Sequence, residues 1–124
     1  DAVVFRITNS FGPHEQIVAN KNAVNFLIYQ AYKQKEVTIF NEGKFYRDLI
    51  YVSDVVSGII TIMKKGKNGE LYWISSARKT WFYQLGNWLS EYTGSELKYV
   101  RTPDYTKKVD VGNFVTSTIV ISSI

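Results

Sequence analysis

Arg47, followed by Asp48, is the cation whose setting most invites chemistry in this 124-residue sequence. Phe40-Asn41-Glu42-Gly43-Lys44-Phe45-Tyr46 precedes them, and Leu49-Ile50-Tyr51-Val52-Ser53-Asp54-Val55 follows. That order reads as a turn, an alternating strand and a helix start. Successive strand side chains point to opposite faces, so Leu49 and Tyr51 face one way and Asp48, Ile50 and Val52 the other. Arg47 opens the rigid element, and a guanidinium held there offers several planar donors to an anion such as a phosphate. An ion pair with Asp48 or Glu42 is the competing use. Asn9 ends an apolar run over residues 2–7, where its amide can bond a ligand or its own turn. Asp48 and Asp54 suit a structural carboxylate and a helix cap better than an acid/base pair. His14 is the one histidine and there is no cysteine, so no metal site is expected. No serine has the flanking glycines of a hydrolase nucleophile turn. No catalytic residue is assigned within these 124 positions.

The elements that must position those residues follow from periodicity. Residues 2–7 suit a buried strand and residues 8–13 a loop. Asn22 is placed to cap a helix over 22–34 whose stripe is Val24, Leu27, Ile28 and Ala31. Residues 37–40 read as a second strand. Gly43 supplies a positive φ in the turn, and Ser53 or Asp54 is expected to cap the helix that Val55 opens. That helix carries Val55, Val56, Ile59, Ile60 and Met63 and stops at Gly66. Residues 70–74 alternate as a strand. Thr80 is expected to cap a helix over 80–93 with Trp81, Leu85, Trp88, Leu89 and Tyr92 on one face, ended at Thr93-Gly94. Residues 97–100 form the last clear strand, and 115–121 are β-prone without an assigned partner. Strands alternate with helices, which predicts a mixed α/β fold with short strands and about three helices.

Length fits one domain with a real core, and the 45% hydrophobic content excludes wholesale disorder. No apolar run is long enough to span a membrane and no secretory leader opens the sequence. The absence of cysteine fits a reducing cytoplasm. The net charge of +4 sits in local lysine runs such as Lys64-Lys65-Gly66-Lys67 and Lys107-Lys108. These suit helix ends or a phosphate-bearing partner. A second function class is a basic, aromatic-rich module stacking single-stranded nucleic acid. Against it, Trp81, Trp88 and Tyr92 fall on one helical line with Leu85 and Leu89, which is core spacing. A third is a structural or oligomerising fragment with no ligand site. Met63 is the only methionine and both ends are strand-like, so the chain is expected to be a piece of a longer protein.

Two blocks carry a family likeness. Arg6-Ile7-Thr8-Asn9-Ser10-Phe11-Gly12-Pro13 resembles the Arg-x-x-Asn-x-aromatic-Gly-Pro motif of extended short-chain dehydrogenases, the NAD-dependent sugar-nucleotide epimerases and dehydratases. Phe40 to Val55 is similar to their aromatic-x-x-Gly-x-x-x-Arg-Asp-x-x-Tyr-Val-x-Asp-Val block. The resemblance implies the C-terminal, substrate-binding part of a Rossmann-type enzyme of the UDP-glucose 4-epimerase-like kind. Its Gly-x-x-Gly-x-x-Gly loop and Tyr-x-x-x-Lys pair are expected upstream, and its last motif and helix beyond the other end. Tyr29-Gln30-Ala31-Tyr32-Lys33 matches the Tyr-x-x-x-Lys spacing, yet it falls after the first strand and off the apolar stripe, so it is read as solvent-facing.

By that resemblance the substrate is a nucleotide diphosphate sugar and the cofactor NAD, with transient hydride abstraction from the sugar. Arg47 and Arg101 would take the diphosphate, although Pro103 replaces the usual glycine of the Arg-x-Gly-Asp segment. Asn9 would bond the diphosphate or a sugar hydroxyl. Asn22, Ala23, Val24, Thr38 and Phe40 would line the base. Ile7, Thr8 and Ser10 would lie nearest the nicotinamide. The partners implied are the sugar nucleotide, the missing N-terminal half and a second copy of the chain; neither a membrane nor nucleic acid is expected.

Overall fold

The computed structural model describes residues 1–17, 23–101 and 113–116. Along the chain these form β1 (Val4–Ile7), β2 (Asn9–Phe11), α1 (Ala23–Tyr29) extended by a π turn (Gln30–Gln34), and β3 (Glu36–Phe40). After a 3-10 turn (Asn41–Gly43) come β4 (Tyr46–Arg47), β5 (Leu49–Tyr51), α2 (Val52–Lys65) and β6 (Leu71–Ile74). β7 (Thr80–Trp81), α3 (Phe82–Thr93) and β8 (Glu96–Val100) complete the order. The described residues fall into two units, each treated by itself. The first takes Asp1–Pro13, Arg47–Lys79 and the stretch from Val115; the second takes His14–Tyr46 and Thr80–Phe114. No helix among the described residues is long and apolar enough to cross a membrane.

In the first unit β1 pairs in parallel with β6, and β2 with β5, Asn9 lying opposite Leu49. The core is Ile50, Val55, Ile62 and Ile74, with Val3, Ile59 and Tyr72 packed on it. Residues 2–7 are expected to be buried, but β1 is exposed throughout, Val4 at 57%. It has a single paired neighbour, β6, among the described residues, so its far edge and one face gain no cover. The loop expected over 8–13 contains β2. The expected continuous strand is interrupted at Asp48, and α2 begins at Val52, three residues earlier than Val55. Tyr51 sits in the N-cap position in an extended conformation without a side-chain cap bond. Asp54 therefore lies inside the first turn, where its charge complements the helix dipole. The α2 stripe is wider than the face that is covered. Val55, Gly58 and Ile62 are buried while Val56, Ile60 and Met63 are exposed, Met63 at 80%.

In the second unit β3 pairs in parallel with β8, Phe40 opposite Val100. Leu27, Ala31, Val37, Ile39 and Phe82 form the core, with Phe45, Leu85, Leu89 and Leu97 against it. Phe45 and Phe82 stack at 4.3 Å, and the Phe82 amide donates to the Phe45 carbonyl at 3.0 Å. The turn expected at Gly43 is present with φ +69°, and a Cβ there would strike the Tyr83 backbone. α3 starts at Phe82 rather than Thr80, because Thr80–Trp81 is extended as β7. Gly94 ends α3 in the left-handed conformation, its amide donating to Ser90 at 2.9 Å. Leu85 and Leu89 face the core, but Trp88 and Tyr92 do not; Tyr92 is 87% exposed. Core spacing therefore does not bury these two rings, and it does not speak against a stacking surface there. Of residues 115–121, only 115–116 are described, and they are in no strand.

Candidate functional site

The first unit is drawn together by one side chain. Asp48 is 0% exposed, and its carboxylate accepts six hydrogen bonds. Oδ1 accepts from the Thr8 hydroxyl at 3.0 Å and from the Ser76 amide and hydroxyl, both at 2.9 Å. Oδ2 accepts from the Ala77 amide, the Thr116 amide and the Thr116 hydroxyl, each at 3.1 Å. The Thr116 hydroxyl has one proton, directed at Asp48, so in its 2.5 Å contact with Ser75 the serine is the donor. Burial opposes the charged form most strongly. The amide and hydroxyl donors of Thr116, Ser76 and Thr8 together outweigh it and hold the carboxyl below its ordinary value.

Asp48 and Ile50 are both buried, and Leu49 between them turns the other way. Arg47 ends β4 on the far side of the break at Asp48 and is half-buried. Asn9 is the register partner of Leu49, and neighbours in a parallel pair point to the same side, so Asn9 shares the face of Leu49. The Asn9 amide donates to the Asp48 carbonyl at 3.1 Å, tying the two segments at that level. Thr8 lies on the inner side with its hydroxyl on Asp48, while Ile7 and Ser10 are exposed.

The remaining candidates belong to the second unit. A single left-handed residue, Lys35, separates the π turn from β3, so α1 and β3 run back to back in opposite directions. The start of α1, with Ala23 exposed and Val24 buried, therefore lies toward the carboxyl end of β3, where Phe40 is half-buried. Arg101 follows Val100, the register partner of Phe40, and is exposed at the same end. Thr38 sits deeper in β3, its amide donating to Gln30 Oε1 at 3.3 Å. Asn22 lies outside the described residues, as do the residues 102–104 that follow Arg101. Tyr29 and Lys33 are both exposed. In open parallel sheets ligands favour the carboxyl ends of strands, and Phe40, Arg101 and Thr8 all stand at such ends.

The family model described as "NAD dependent epimerase/dehydratase family" matches residues 1–75. The chain belongs to this family. Human dTDP-D-glucose 4,6-dehydratase is 31% identical over 106 residues, covering 83% of this chain and 29% of that protein. The UDP-glucose 4-epimerase of Thermotoga maritima, solved with UDP-glucose, superposes with a TM-score of 0.77 at 31% identity, over 91% of this chain and 36% of that one. The UDP-glucose 4-epimerase of Thermus thermophilus, solved with NAD, reaches 0.80 over 98% of this chain and 39% of that one; its 17% identity speaks for fold alone. This epimerase/dehydratase chain thus has the α/β, Rossmann-type fold expected, and it spans about a third of the length of the relatives it matches. The family match takes in Arg47, Asn9 and the Asp48 cluster as far as Ser75. Alternation sets Asp48 on the side of Ile50, and its burial and its donors come from the structure alone.

Proposed function

We propose that this chain is the part of an NAD-dependent sugar-nucleotide epimerase or dehydratase that holds the nucleotide diphosphate sugar. The observation that carries the reading is the bond from the Asn9 amide to the Asp48 carbonyl, which ties Asn9 to the chain neighbour of Arg47 beside a buried carboxylate. A guanidinium gives a diphosphate parallel N–H donors, and the asparagine amide adds a donor or an acceptor for phosphate or sugar. Arg101 is the second cation. Asn22, Ala23, Val24, Thr38 and Phe40 are assigned to the base, which needs an apolar wall and a few backbone groups. UDP-glucose in the Thermotoga enzyme supports this substrate class.

NAD, when bound, supplies the hydride acceptor. This chain's contribution to it is the exposed, apolar Ile7 at the carboxyl end of β1 together with Ser10, and the Thr8 hydroxyl is directed to Asp48 instead. The dinucleotide loop and the tyrosine base are assigned to sequence outside these residues, and the same remainder is assigned to cover the exposed β1 edge and α2 face. Alone, the chain is expected to show no turnover. The test is titration with UDP-glucose and dTDP-glucose followed by amide shifts. Shifts at Asn9, Arg47 and residues 22–24, abolished by Arg47→Ala, are expected. Silence toward both sugars with salt-sensitive binding of an oligonucleotide would replace this reading with the nucleic-acid one.

A further inference from the structure

We propose that Asp48 is a positioning residue for the diphosphate grip, acting on Arg47 and Asn9 through the backbone rather than touching the ligand. The inference rests on the function proposed above and names what keeps its two donors aimed. Three segments far apart in sequence meet on this carboxylate: Thr8 before β2, Ser76 and Ala77 after β6, and Thr116. Two features of this cluster bear directly on the grip. The Thr8 hydroxyl pins the residue before Asn9, and the buried, hydrogen-bonded carboxylate anchors the backbone directly after Arg47. The backbone bond from Asn9 to Asp48 then sets the height of one donor against the other. Rotation of Asp48 out of its pocket would release Thr8 and alter the pleat at Arg47 in the same motion. Held groups bind without first losing the freedom to point elsewhere, which is how such a cluster converts hydrogen bonds into affinity.

Asp48 itself is a poor first variant, since its loss leaves buried donors unpaired and endangers the fold. Thr8→Val and Thr116→Val keep side-chain shape and remove the hydroxyl bond to Asp48, the second also the contact with Ser75, while Thr8→Ser restores the first. UDP and dTDP, with UMP as the one-phosphate probe, are titrated calorimetrically into the unaltered chain, these variants, Arg47→Ala, and Lys98→Ala as a remote control. All titrations run well below each variant's melting temperature. Both valine variants are expected to bind roughly five- to tenfold more weakly, with Thr8→Ser close to the unaltered chain. The weakening should grow when the probe carries two phosphates rather than one, a dependence that a general loss of stability would not produce. Loss of binding in Arg47→Ala with undiminished binding in both valine variants overturns the positioning role and leaves the proposed function standing. No binding of either nucleotide by the unaltered chain overturns both.

Discussion

The two units solve the same problem with different forces. In the second, Leu27, Ala31, Val37, Ile39 and Phe82 pack as an apolar core, and the Phe45–Phe82 stack closes it. In the first, a smaller core of Ile50, Val55, Ile62 and Ile74 is joined to a polar centre at Asp48. Apolar packing tolerates small slides, because dispersion and burial depend weakly on direction. Six hydrogen bonds on two oxygens do not, since each weakens steeply off its angle. The unit that carries Arg47 and Asn9 is therefore the one whose geometry is set by direction, which is what the proposed diphosphate grip requires.

The sharpest way to break that contrast is to remove one member of each kind. Asp48→Ala strands buried amides and hydroxyls of Thr8, Ser76, Ala77 and Thr116, and is expected to cost about 4 kcal/mol in urea unfolding. The amides of Ser76, Ala77 and Thr116 should lose their protection against hydrogen exchange first. Phe82→Ala empties a ring-sized volume and is expected to cost about 3 kcal/mol, with exchange spreading over α3 and β3 alike. If Asp48→Ala proved the milder of the two and left those amides protected, the polar centre would be an ornament on an ordinary core.

The same division separates what sequence could show from what it could not. The α1 stripe and the left-handed stop at Gly94 lie in local spacing, so both stand where expected. Alternation placed Asp48 on the side of Ile50 without showing that this side is buried. Its donors were invisible because serine and threonine hydroxyls carry no periodic signal, and they converge from residues 8, 76 and 116. The errors at α2 and α3 share one cause. Val56, Ile60 and Met63 on one helix, and Trp88 and Tyr92 on the other, continue an apolar stripe past the width that the described residues cover. Periodicity reports that a face is apolar and says nothing of what lies against it. Asn9 and Arg47 were each legible from their motifs, but only the register of β2 on β5 set Asn9 beside the segment that Arg47 precedes.

A milder probe of the polar centre is pH. The Asp48 carboxyl is held below its ordinary value in the folded chain, so the folded state binds its proton less readily than the unfolded one. Its contribution is complete above the unfolded carboxyl's pKa of about 3.9. It is lost as pH falls through the lower folded value. Between about pH 5 and 2, exchange at Ser76 and Ala77 should rise more steeply than at β3, and Asp48→Asn should flatten that limb. An equal rise at both places would mean that the acid sensitivity has another origin.

The smallest effect is expected where charge is visible but exposed. Across β3 and β8, Glu36 stands opposite Glu96, and Lys98 reaches Glu36 with a 3.2 Å ion pair. The hydrogen bond from Lys98 to Glu36, then the charge of Glu36, then that of Glu96, raise the Lys98 pKa. This contribution is whole below the lysine's unfolded value of about 10.4 and fades as pH climbs through the raised one. Water and salt surround the pair, and holding a long side chain in place offsets much of the attraction. Lys98→Ala should therefore leave the melting temperature unchanged at physiological ionic strength. A drop should emerge only at low salt, where the two glutamates facing each other are no longer screened. A clear loss at high salt would show that an exposed pair can do in the second unit what a buried carboxylate does in the first, and the contrast between the units would then lie in burial of apolar surface alone.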